Sequence, residues 1–202
     1  MKIIYTLFTF FAILVFTGCS NESNEESSSE NEHATIEQES YTIKDISGKT
    51  EFVLKRKNGG FIVEGHEDKI VIFDMYATYC PPCAKEAPRL TDLQMKYSDK
   101  LLIIALNTYE EVTDLYIDES FRFKYGAFYF ISNSKHNEKI INTLLRDIGY
   151  KKKMQIPFKV VLKNSKYQKL TDIYYANPNN NFYLGAVNSS VIEEDIKKIL
   201  EN

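Results

Sequence analysis

This chain lacks any covalent or metal framework that could hold a small fold together. It has only three cysteines and three histidines in 202 residues. Cys80 and Cys83 are the one close pair, and a bridge between them closes too short a loop to add much stability. A disulfide-stapled scaffold is excluded. Structural zinc needs a full tetrahedral set of nitrogen or sulfur ligands, and His33, His66 and His136 show no ligand spacing beside the cysteine pair. No metal is expected. Long apolar runs are also missing: Ile3–Phe16 is almost wholly apolar but too short for a membrane-spanning helix. Basic residues are dispersed apart from Lys151-Lys152-Lys153, which reads as a solvated loop, so no nucleic-acid partner is implied. Internal repeats are absent.

The N-terminus is informative. Lys2 precedes the apolar run and Thr17-Gly18-Cys19 ends it, the order of a charged start, an apolar stretch and a small-residue cleavage site. The end, FTGCS, resembles the lipobox of bacterial lipoproteins, with Phe16 where that motif usually carries an aliphatic residue. By that resemblance residues 1–18 are a lipoprotein signal peptide, and Cys19 is lipidated and becomes the new N-terminus. An ordinary signal peptide and an uncleaved anchor are the alternatives; under each, the body of the protein is exported. Residues 19–40 are then the lipidated cysteine and a flexible acidic tether. Ser20–Ser40 holds seven acids, no Lys or Arg, and nothing to pack. With those acids and Lys2 set aside, 21 acids face 24 basic residues, so the body is weakly basic.

Residues 41–202 read as one globular domain. YTIKDI and EFVLKR form two short alternating strands around Ser47-Gly48. KIVIFDMYA is a near-continuous apolar run, as expected of a strand covered on both faces. A helix follows from Pro81 to about Tyr97, then a buried strand (101–107), a helical stretch through about Tyr125, and a strand at 127–132. Ile140, Ile141, Leu144, Leu145 and Ile148 share one helical face. FKVVLKN and YQKLTDIYY predict an antiparallel pair turning at Asn164-Ser165-Lys166. Val191, Ile192, Ile196, Ile199 and Leu200 mark a C-terminal amphipathic helix. The expectation is an α/β fold, a central mixed sheet with helices on both faces.

The stretch FDMYATYCPPCAKEAP carries the chemistry. Cys80 ends a buried strand and precedes a helix. The proline after it pushes its backbone out of the α region, which suits an N-cap, and Pro81 fits the first helical position. Free amides and the helix dipole favour a thiolate at Cys80. Cys83, one turn on, is placed to attack a mixed disulfide formed at Cys80. The spacing predicts a reversible Cys80–Cys83 disulfide.

The same stretch resembles the active-site segment of the thioredoxin superfamily, and most closely its exported, membrane-tethered TlpA/ResA-type members. Ala77, Tyr79, Pro82 and Pro88 match around the cysteines. YTIKDISGKT upstream, IPFKVVL and Gly185-Ala186 downstream match more weakly, so the similarity covers most of residues 41–202. The departures are Tyr76 and Tyr79 in place of tryptophans, a lengthened NPNNNFYL stretch, and a long Leu101–Pro157 segment.

The resemblance implies a thioredoxin fold with extra N-terminal strands and an inserted βα unit before a cis-proline. It implies that Asp74 is a buried acid that takes and returns the proton of Cys83, where burial would raise its pKa. The competing reading is an acid capping a strand end. It also implies a cis Ile156-Pro157 bond, with the Ile156 main chain pairing an extended substrate; a proline on an edge strand is the alternative. Tyr79, Pro81 and Pro82 would line the substrate rim. Lys85 and Glu86 read as a solvated helix face. The activity implied is thiol–disulfide exchange with no cofactor beyond the redox-active disulfide. Pro81 and Pro82 remove donors that would stabilise a Cys80 thiolate, so the expected direction is reduction of disulfides in extracytoplasmic proteins. By family analogy these could include apocytochrome c, with electrons from a membrane or periplasmic donor. An oxidant or isomerase is the alternative, and a non-enzymatic partner-binding lipoprotein the third reading.

Overall fold

The computed structural model describes residues 39–201. The expected signal peptide, Cys19 and the acidic stretch through residue 38 lie outside them.

Three strands form an N-terminal antiparallel sheet in sequential order: β1 (Ser40–Lys44), β2 (Glu51–Lys57) and β3 (Gly60–Val63). The third strand was not expected. It follows Asn58-Gly59, whose φ angles of 49° and 83° turn the chain directly from Lys57 to its partner Gly60. Asn-Gly suits this two-residue turn because both positions need positive φ.

The second sheet contains β4 (Ile70–Tyr76), β5 (Leu101–Asn107), β6 (Phe130–Ser132), β7 (Phe158–Lys163), β8 (Lys166–Tyr167) and β9 (Phe182–Leu184). Its order is β6-β5-β4-β7-β8, with β9 also on β7. β4, β5 and β6 are parallel, and β7 runs antiparallel to β4, β8 and β9. The helices are α1 (Pro81–Lys96), α2 (Asp114–Ile117), α3 (Asn137–Asp147) and α4 (Ser189–Glu201), and α2 runs on into a π-helical turn at Asp118–Phe123. Between β5 and Pro157 the chain thus adds α2, the π-turn, β6 and α3.

β4 and β5 are buried at every position, which explains their unbroken apolar sequence. Alternation sorts the side chains of β4. Ile70, Ile72 and Tyr76 join Ala87, Leu90 and Leu93 of α1 and Ile192, Ile196 and Ile199 of α4 in one core. Val71, Phe73 and Met75 join Ile140, Ile141 and Leu144 of α3 with Tyr41, Ile43, Leu54 and Phe61 of the N-terminal sheet in the other. Asp74 therefore falls on the α1–α4 face.

One expected strand is corrected. YQKLTDIYY contributes only Tyr167 to the sheet, paired after Lys166 in β8, and Phe182–Leu184 takes the place beside the first half of β7. Tertiary bonds pull the intervening chain away: Leu170 N–H donates to Asn180 O (2.8 Å), and the Thr171 amide and hydroxyl donate to Asp195 of α4 (2.7 and 2.8 Å). β6 is also shorter than the expected 127–132.

β3 meets the second sheet closely at Gly60. A Cβ there would lie 1.9 Å from Ser165 O, in the turn between β7 and β8. Gly60→Ala should lower stability in urea denaturation by roughly 1–3 kcal/mol, the usual penalty of overpacking against an unyielding neighbour. An unchanged midpoint would show that the sheets do not meet there.

Candidate active site

The redox pair sits where β4 hands over to α1. Cys80 is the N-cap of α1 with extended backbone (φ −88°, ψ 104°), and Pro81 and Pro82 open the helix. Cys83 N–H donates to Cys80 Sγ at 3.3 Å. The two sulfurs are joined in a disulfide. Both residues are almost buried, whereas Pro81 and Pro82 are exposed and Tyr79 is 60% exposed. The pair therefore presents a narrow rim rather than an open face. Tyr76 does not contribute to that rim: it is wholly buried and packs on Phe121, with ring centroids 4.5 Å apart.

The loop leading into the cysteines is clamped by Glu110, just beyond β5. Its Oε1 accepts the Thr78 amide at 2.6 Å and its Oε2 accepts the Thr78 hydroxyl at 2.7 Å. The sequence carries no signal for this contact, because it depends on the β4–β5 pairing.

Asp74 is neither at a strand end nor in solvent; it is 3% exposed within β4. Directly opposite it in the β4–β7 register is Lys159, which has no solvent exposure at all. Lys159 Nζ lies 3.4 Å from Asp74 Oδ1 and 2.5 Å from Glu86 Oε2. Glu86 Oε1 accepts the Val187 amide at 3.2 Å. Glu86 is thus not on a solvated face but 3% exposed, pointing into the protein three positions after Cys83. Burial pushes the Asp74 carboxyl up to about 6; Lys159 opposes that rise and Glu86 adds to it. Burial works against the Lys159 charge too, but the two carboxylates overcome it and its pKa is raised. Sequence reasoning missed Lys159. The available signal was a lysine in FKVVL whose strand partner is an acid in another apolar run.

The Ile156-Pro157 bond is cis. β7 begins at Phe158 and pairs on both sides, so Pro157 does not precede an edge strand. Gly185 N–H donates to Pro157 O at 2.8 Å, joining the Gly185-Ala186 step to this segment. Ile156 is partly buried against the core that contains Cys80 and Cys83, and among the described residues nothing pairs with its main chain.

A vicinal cysteine pair capping a helix after a buried parallel strand, with a cis-proline opening the antiparallel neighbour, defines a dithiol–disulfide site on a thioredoxin fold. Residues 53–147, just under half of the chain, match the thioredoxin family model. It is 43% identical to Thioredoxin-T of Drosophila melanogaster over 44 residues, 22% of this chain and 28% of the relative. It is 38% identical to the thiol-disulfide oxidoreductase ResA of Oceanobacillus iheyensis over 56 residues, 26% of this chain and 29% of the relative. The matched stretches thus span less than a third of either protein. A crystal structure of a thioredoxin-family thiol:disulfide interchange protein from Chlorobium tepidum superposes with a TM-score of 0.52 at 18% identity, covering 80% of this chain and 93% of that one. That likeness establishes the fold.

The raised carboxyl of Asp74 has a consequence for stability. Its folded value of about 6 lies above the ~3.9 of an unfolded aspartate, so the native state holds the proton more tightly. The resulting stabilisation is present below about pH 4 and is lost as pH rises through 6. Asp74→Asn should therefore be more stable than the wild type at pH 8, by about 1–3 kcal/mol, with the difference fading toward pH 4. Urea titrations at the two pH values check this. A less stable variant at pH 8 would mean that the pair with Lys159 outweighs desolvation.

Proposed function

We propose that this protein is an exported, lipid-anchored thiol–disulfide oxidoreductase that reduces disulfides in extracytoplasmic proteins. The observation that carries the reading is the Cys80–Cys83 disulfide at the first turn of α1, with Cys80 as its N-cap. The family-model match and the relatives named above support the chemistry. FTGCS supports attachment through Cys19 to a bacterial membrane, facing the periplasm or the cell exterior.

In the reduced protein the Cys80 thiolate attacks one sulfur of a target disulfide. The target's other sulfur leaves as a thiolate, and a mixed disulfide remains on Cys80. Cys83 passes its proton to Asp74, then attacks Cys80 Sγ and releases the target's second sulfur, which takes up a proton. Two electrons pass to the target and the protein becomes the disulfide. An external dithiol, supplied by a membrane or periplasmic donor, restores the reduced pair. The open main chain of Ile156 beside Pro157 receives the target as an added strand, and Tyr79, Pro81 and Pro82 form the rim around the exchange.

The surroundings of Cys80 support that direction. Pro81 and Pro82 bring no N–H, and among the described residues the sulfur's hydrogen bond comes from Cys83 N–H. A weakly stabilised thiolate makes a reducing pair.

Cys83→Ala should accumulate a mixed disulfide with a peptide substrate, seen by mass spectrometry, and Cys80→Ser should abolish exchange. Equilibration with glutathione should place the pair toward the ~−270 mV of thioredoxins. A value near the ~−120 mV of DsbA would assign the protein to disulfide formation instead. Cys19→Ser should release it from the membrane fraction and remove lipid labelling; retention of both would overturn the anchor.

A further inference from the structure

Three charged side chains with almost no solvent contact meet next to the redox helix. Asp74 of β4 and Glu86 of α1 are each 3% exposed, and Lys159 of β7 is fully buried. Fully ionised, the cluster carries one excess negative charge. An unbalanced charge in such surroundings is costly enough that a shared proton is retained toward neutral pH. The cluster then has two places for that proton, and geometry separates them. Glu86 accepts two hydrogen bonds, from Lys159 at 2.5 Å and from the Val187 amide at 3.2 Å. Asp74 Oδ1 lies 3.4 Å from the same Lys159 nitrogen and has no hydrogen-bond partner.

We propose that Lys159 is a positioning residue: by bonding Glu86 at the shorter distance it leaves Asp74 as the carboxyl that gains and loses the exchangeable proton. The inference rests on the proposed thiol–disulfide exchange for its purpose, though not for its electrostatics. The other groups around Asp74 do not compete for the proton. Tyr76, on the same strand, and Tyr129, just before β6, are pushed by burial well above the ordinary tyrosine range and stay protonated. Arg122, from the π-helical turn, is committed to Asp45 at 2.5 Å and Asp118 at 3.3 Å. Across β4, the β5 partner of Asp74 is Ala105.

The lysine also ties the proton site to the surface proposed for substrate. Lys159 stands two residues after Pro157, and Val187 two residues after Gly185, whose amide holds Pro157 O. Glu86 thus grips both segments from α1.

The test uses two substitutions that should act in opposite directions. Carboxyl-carbon NMR follows Asp74 in the oxidised protein, assigned by loss of the signal in Asp74→Asn. The glutathione equilibrium of the cysteine pair is followed over the same pH range. Lys159→Met removes the cation that opposes protonation and should move both breaks up by about one to three pH units. Glu86→Gln removes the anion that favours protonation and should move both down. Shifts in the same direction, or none, would overturn the assignment. Should Lys159→Met not fold, Glu86→Gln decides alone: a downward shift supports the proposal and an unmoved break defeats it. Opposite shifts in the NMR titration of a protein that exchanges no disulfide would sink the proposed activity and leave the role of Lys159 standing. Normal exchange with an unmoved titration would do the reverse.

Discussion

An ammonium group without solvent, held between two buried carboxylates, fixes how β4, β7 and α1 meet. Ion pairs of this kind add little net stability, because desolvating the charges offsets their attraction, but breaking one strands an unpaired charge inside the protein. Here the pair spans the β4–β7 register. A slip of one residue would turn Asp74 from the α1–α4 face toward the N-terminal sheet while Lys159 stayed behind. The apolar residues of β4 would tolerate that slip, since both faces are covered. The charges would not. Glu86 adds the third element by seating α1 over the same point, and it reaches the chain entering α4 through Val187.

The redox pair inherits its position from this arrangement. β4 delivers Cys80 to the C-terminal edge of the parallel strands, Pro81 starts the helix, and Glu110 holds the approach through Thr78. Segments far apart in sequence therefore converge on two sulfurs: the β4–α1 junction, the turn after β5, the cis-proline segment and the Gly185–Val187 step. The N-terminal sheet and the α2–β6 segment are bound to each other by Asp45, which accepts from Arg122 and the Ile131 amide.

Features written in adjacent residues were legible in the sequence. A cysteine before Pro-Pro-Cys at the end of an apolar run specifies an N-cap, and an acid within that run is buried whichever face it takes. Asn58-Gly59 is equally readable as a hairpin turn, although the strand after it is only four residues long. Features that depend on which strand lies next to which were not legible. Lys159 looks like an ordinary surface lysine until β7 is laid against β4, and Glu86 looks solvated until Lys159 occupies the space beneath α1. The segment after Tyr167 has the composition of a strand, yet its bonds to Asp195 and Asn180 carry it away from the sheet. Tertiary partners overrode local preference there, as they do wherever propensity is weak.

The buried cluster and the proline pair bear on the proposed direction of exchange in the same sense. A thiolate near carboxylates gains nothing from their field, and one flanked by prolines finds few amides to accept from. Both effects favour keeping the sulfurs protonated or joined rather than ionised and free. A dithiol that is poorly stabilised gives up its electrons readily, which is what a reductant of other proteins' disulfides requires. The opposing influence is the α1 dipole at Cys80. The dipole makes the sulfur reactive enough to attack, while the acids and prolines keep that reactivity from becoming stability of the reduced state. A reductant needs both properties, and this junction separates them: one arises from where the helix begins, the other from what lies beneath it.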